Sequence, residues 1–83
     1  MDRSAPTISP PVANHVLFIF GEGGYQAGSF TTRLLATFLA ADTQNFARLR
    51  TAFPDYGAAL DMAQNDSNGI AKLQQFAAAQ VAA

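Results

Sequence analysis

Residues 15–42 read HVLFIF (15–20), GEGGYQAGS (21–29) and FTTRLLATFLAAD (30–42). A dense apolar run is joined to an amphipathic helix through a glycine-rich loop. Val16 to Phe20 contain no polar residue, and their β-branched and aromatic side chains suit a strand. Six residues are too few for periodicity to separate a buried strand from helical turns. A single strand needs a neighbour, and no second stretch of strand character occurs in the chain. The run is therefore expected to be extended or strand-like and to pair with another copy; an apolar helix or extended segment lying across the other helices is the alternative. His15, Val16, Leu17, Phe18, Ile19 and Phe20 form the candidate interface. His15 is the only histidine, and no triad or metal set accompanies it in the sequence.

The loop that follows offers Gly21, Gly23, Gly24, Tyr25 and Gly28 as candidate residues. Gly23 and Gly28 stand in the glycine frame of a phosphate-binding loop, but that frame continues with Lys and then Ser or Thr. Here Ser29 and Phe30 follow, so no lysine is placed to hold β- and γ-phosphates. The dinucleotide fingerprint fails too: Gly21 and Gly23 fit, whereas Gln26 occupies the third glycine position. No nucleotide or other cofactor is expected. The glycines are read as turn formers that allow left-handed geometry and close packing. The N–H groups of residues 28–31, at a helix start, would attract an anion only weakly.

Four helices are predicted after the loop. The first covers about residues 30–41 with Ser29 as its N-cap. Its stripe is Phe30, Leu34, Phe38 and Ala41, widened by Leu35 and Leu39, and it is read as core. Asp42 caps a second helix over about 43–53, with Phe46, Leu49 and Phe53 inward. Pro54 stops that helix, and a third runs over about 55–64 with Tyr56, Leu60 and Ala63 inward. The loop Asn65-Asp66-Ser67-Asn68-Gly69 leads to a fourth over about 70–81, with Ile70, Leu73, Phe76, Ala77 and Val81 inward.

On the N-terminal side, residues 1–14 hold three of the four prolines, Pro6, Pro10 and Pro11. Proline removes a donor and biases its predecessor to extended geometry, so a flexible proline-rich tail or a docking arm is expected. The fold class is thus mainly α. It comprises a small bundle of three to four short helices, an extended or strand-like apolar N-terminal segment and a proline-rich tail. Residues 15–83 form a single small helical domain.

Composition narrows the function. Hydrophobic residues make up 49% and charged residues 13% of the 83, where about a quarter charged is usual. So few charges leave apolar surface uncovered, which favours self-association or a protein partner. A formal net charge of -1 gives no electrostatic footprint for nucleic acid. A helix-turn-helix formed by the second and third helices would need basic residues on the third, which carries Asp55 and Asp61 and neither Lys nor Arg. Arg48 and Arg50 on the second helix are the only plausible contacts, so nucleic acid is not an expected partner. The six carboxylates are scattered and there is no cysteine, so catalytic and metal residues are expected to be none and the protein not an enzyme. The longest apolar run falls far short of the roughly 20 residues a membrane span needs. A cytoplasmic protein without membrane contact is expected.

The ordered set FGEGGYQAGSFTTRLLATFLAAD, NFARL, FPDYGAAL and a closing NGI resembles a family of small uncharacterised proteins encoded by actinobacterial phages, of mycobacteriophage type. The matching positions are Gly21 to Tyr25, Phe30 to Leu35, Ala41-Asp42 with Asn45, and Phe53-Pro54, within about residues 16–73. The resemblance implies a viral or prophage origin and brings no activity, catalytic residue or cofactor. The leading expectation is a phage-encoded accessory factor that binds a host or phage protein in the host cytoplasm. The alternative is a structural or assembly component associated with the virion, and a weaker one is a nucleic-acid-associated regulator.

Overall fold

The computed structural model describes residues 8–82, with the side chains of residues 80–82 excepted. The described residues form five helices: α1 (Pro10–Ile19), α2 (Ser29–Ala40), α3 (Thr43–Ala52), α4 (Pro54–Asn65) and α5 (Gly69–Ala82). No strand is found among the described residues.

The extended or strand-like segment expected at His15 to Phe20 is instead helical, and the helix begins five residues earlier. Ser9 is extended at the cap position, and Pro10 and Pro11 occupy the first turn. There the missing N–H groups cost nothing and the fixed φ favours the helix. Val12, Ala13, Val16 and Leu17 fall on one face and are buried. A helix also satisfies its own backbone donors and acceptors, so the segment needs no pairing strand. Of the expected tail, residues 1–7 lie outside the described residues, Ile8 is buried in the core, and residues 10–14 are the first half of α1. The described residues therefore form five helices where three to four were expected.

Gly21 ends α1. Its φ is 70°, its N–H donates to the Phe18 carbonyl at 3.1 Å, and the Glu22 N–H donates to the Leu17 carbonyl at 2.9 Å. This pair of bonds is the Schellman arrangement, which satisfies carbonyls that the helix end would otherwise leave free. After the loop, Gly28 is the extended N-cap of α2, and Ser29, expected there, is the first helical residue. Asp42 caps α3 as expected, its Oδ1 accepting the Asn45 N–H at 2.8 Å. Pro54 opens α4 directly after α3, with Phe53 as the shared cap. Between α4 and α5, the Asp66 carboxylate accepts the Asn68 N–H at 2.8 Å and the Lys72 ammonium at 2.6 Å. Those two donors, lysine first, hold the Asp66 carboxyl below the usual carboxylate range.

The core is built around α1, which packs on α5 and α4, while α4 packs on α3 and α5 and α2 joins through α3. Ile8, Val16, Leu17, Leu35, Phe38, Leu60 and Leu73 are its largest fully buried side chains. Phe38 meets Phe46 edge-on, ring centroids 5.2 Å apart, and this contact ties α2 to α3. Two members of the predicted α2 face depart from it: Phe30 is 67% exposed and Leu39 40% exposed. α3 contributes no fully buried residue and covers the core with Phe46 and Leu49 at partial burial. The side chain of Val81, expected inward, lies outside those described.

Candidate functional site: an aromatic face around His15

His15 sits on α1 one turn beyond Pro11, on the flank of the buried stripe, and is only partly buried. Its Nδ1 lies 2.8 Å from the Tyr56 hydroxyl of α4. The two rings are nearly parallel, 9° apart, with centroids separated by 6.1 Å. From the loop, Tyr25 meets the His15 ring at 83° and 5.4 Å, edge to face. Three elements thus converge on one imidazole.

The loop reaches this position through its glycines. Gly24 has φ of +72°, and a Cβ there would stand 2.1 Å from the Asn14 carbonyl oxygen. Neither the conformation nor the space admits a side chain. The Tyr25 N–H donates to that same carbonyl at 3.3 Å, and the Gln74 amide of α5 donates to the Glu22 carbonyl at 3.3 Å. The loop is laid along α1, so its glycines serve close packing and turning. A helix precedes it, not the strand that a phosphate-binding loop follows.

Burial pushes the His15 imidazolium below its ordinary value of 6.5. Burial raises the Tyr56 hydroxyl above 10.0; interaction with the Thr31 side chain opposes this, and Asp55 and Tyr25 add to it through their charge. Thr31 belongs to the first turn of α2 and so brings a fourth element to the cluster. Beside it, the exposed Phe30 ring packs on Phe53 at 6.3 Å, with an interplanar angle of 56°. Tyr25, His15 and Tyr56 thus form one aromatic group from the loop, α1 and α4, and Phe30 with Phe53 forms a second, next to it in sequence at Thr31 and near Tyr56.

The six candidate interface residues do not share one exposed face. Val16 and Leu17 are core, Ile19 and Phe20 are partly buried against it, His15 belongs to the aromatic face, and Phe18 is 45% exposed. Of the candidate loop, Gly21 ends a helix, Gly23 is exposed with φ of 108°, Gly24 is inlaid on α1, Tyr25 is 41% exposed, and Gly28 caps α2. Sequence reasoning missed Tyr56, Thr31 and Phe53 as surface partners, and it placed Phe30 in the core. A signal for Phe30 was present: it lies in the first turn of its helix, where a stripe runs out past the core.

A second feature is a shallow groove of about 370 Å³ between α3 and α4. Phe46 and Ala47 contribute apolar surface; Arg50, Asp61 and Asn65 form a polar edge. Asn65 donates to Asp61 Oδ1 at 2.6 Å, and Arg50 reaches Asp61 Oδ2 at 3.4 Å. Exposed pairs of this length contribute at most about 1 kcal/mol. Among the described residues there is no group of three His, Asp or Glu able to hold a metal. No helix described is long and apolar enough to cross a membrane.

Comparisons of the chain with protein-family models, curated protein sequences and solved structures gave no match.

Proposed function

We propose that this protein works by contact with another protein, as a phage-encoded accessory domain, and that the aromatic face around His15 is the contact surface. The observation that carries this is Phe30, a phenylalanine left 67% exposed although it stands in a helix whose other large apolar residues are mostly buried. Tyr25 and Phe18 add exposed aromatic area in a chain with 13% charged residues. Aromatic side chains bring large contact area with little rotamer entropy to lose, which is why they dominate interface energetics. The resemblance to actinobacterial phage proteins supports a viral origin and a host or phage protein as partner. The role is binding, without catalysis and without nucleotide.

Affinity capture from phage-infected cells tests this, with wild type beside Phe30→Ser and Tyr25→Ser. A host or phage protein captured by wild type and lost from both variants, with helix content unchanged, is the expected result. Equal capture by all three would show that this face is not the contact surface.

A further inference from the structure

The corner between α4 and α5 turns on one dipeptide. Of the four asparagines, Asn14, Asn45, Asn65 and Asn68, only Asn68 precedes a glycine. The backbone nitrogen of the next residue can attack an asparagine side chain, and glycine, with no Cβ, obstructs that attack least. The fold sets the two residues in contrasting surroundings: Asn68 is exposed and Gly69 is buried. A Cβ at Gly69 would collide with the Met62 carbonyl, so α5 starts in direct contact with the backbone of α4. The Gly69 N–H donates to the Asp66 carbonyl at 2.9 Å. The Asn68 carbonyl accepts the Lys72 N–H at 3.0 Å, the bond by which a cap residue opens its helix. We propose that Asn68 is a latent deamidation site, held unreactive by the closed α4–α5 corner and released when that corner opens, and that its isoaspartate product keeps the corner from closing again.

Resonance ties up the lone pair of a peptide nitrogen, so Gly69 must first give its amide proton to a base in solvent. Its nitrogen then bonds to Asn68 Cγ, the Cγ–Nδ2 bond breaks, and ammonia leaves with a proton taken back from solvent. One water opens the resulting five-membered imide. Cleavage of the new Cγ–N bond leaves aspartate in the normal chain; cleavage of the original peptide bond leaves isoaspartate, with the chain routed through Cβ and Cγ. In the folded protein the Asp66 carbonyl engages the proton that must leave. The ring closes only if the backbone about Asn68 turns to bring the Gly69 nitrogen onto Cγ, and that backbone is anchored on both sides. Its N–H donates to the Asp66 carboxylate at 2.8 Å, its carbonyl accepts from Lys72, and the Lys72 ammonium holds the same carboxylate at 2.6 Å. Isoaspartate inserts one methylene ahead of Gly69 and takes the Asn68 carbonyl out of the main chain. The Lys72 N–H loses its acceptor, and Gly69 leaves its place against Met62. The helix that carries the fully buried Leu73 is then no longer held at its start.

Incubation of the full chain in mildly alkaline buffer, native and in guanidinium chloride, tests this. Peptide mapping by mass spectrometry locates the product, and enzymatic methylation of isoaspartate quantifies it. Product at residue 68 should form at least tenfold more slowly in the native chain, the factor that about 1.4 kcal/mol of opening free energy gives. Asp66→Ala removes the anchor of the Asn68 N–H and keeps the reactive pair. It should raise the native rate several-fold and leave the rate in guanidinium chloride unchanged. The isoaspartate chain, separated by ion exchange and refolded, should melt below wild type. Asn68→Asp, with the same added charge on a normal chain and an equally good cap, should melt close to wild type. Equal rates in the native and denatured chain would overturn the proposal. So would an Asp66→Ala native rate equal to that of wild type, or an isoaspartate chain that melts with Asn68→Asp. Every readout is taken on the isolated chain, so its outcome is independent of the proposed contact surface.

Discussion

Phe38 shows how much one side chain carries in a domain this small. It is 1% exposed and closes α2 on α3 through its edge contact with Phe46. Truncating a buried phenylalanine removes its transfer free energy and leaves a cavity, at a cost of about 3–5 kcal/mol. Phe38→Ala is therefore expected to unfold most of the chain at room temperature, as read by circular dichroism in urea. A melting temperature within a degree or two of wild type would show the core closed by other means. His15 sets a second expectation. The folded protein binds its proton less readily than the unfolded chain, for which 6.5 applies. Its contribution to stability is complete above that value and is lost as pH falls through the lower folded one. Melting temperature measured from neutral to mildly acidic buffer should fall in wild type and fall less in His15→Gln.

At the scale of elements, α2 to α5 were legible within one or two residues because each carries its own punctuation. Asp42 caps, Pro54 restarts and Gly69 follows a polar turn. α1 was misread for a physical reason. HVLFIF looks like a strand when cut at residue 15, yet the buried positions Val12, Ala13, Val16 and Leu17 make a helical face only when the window opens earlier. Pro10 and Pro11 masked that face, because proline argues against a helix interior and for a helix start equally well. The glycine loop has positive φ at Gly21, Gly23 and Gly24 and packs closely at Gly24 alone, and nothing local in the sequence reveals that it lies on Asn14. That contact fixes the next expectation. Gly24→Ala combines a left-handed conformation, which costs an L-residue about 1–2 kcal/mol, with a collision against the Asn14 carbonyl. Chemical denaturation should show at least that loss, while Gly23→Ala, which meets nothing within 4 Å, should lose only the conformational part.

For the molecule as a whole, composition favours association but gives no position for it. A strand at residues 15–20 would need a partner, which makes that run the expected place of contact. The helix removes that need and turns Val16 and Leu17 inward, and Phe30, Tyr25 and Phe18 remain as exposed aromatics. Tyr56 lies 41 residues from His15, a pairing that no local pattern encodes. Phe18→Ser with Phe30→Ser is expected to lower partner capture while leaving far-ultraviolet circular dichroism unchanged; loss of helix content in that variant would assign both rings to stability.

The pairing of α1 with α5 has a consequence during synthesis. Among the described helices, α1 leaves the ribosome before the others and finds its most extensive partner in α5, with some fifty residues of chain between them. Bridging a loop of that length costs entropy before any burial repays it. Until residues near Leu73 have emerged, the apolar stripe of α1 stays uncovered on that side and available to chaperones. A nascent chain stalled after Asn68 should thus remain protease-sensitive and chaperone-bound, and one with α5 fully outside the exit tunnel should generate the pulling force of a folding domain. Compaction of the shorter chain to the same force would show that α1 settles first on α4 and that α5 only completes the enclosure.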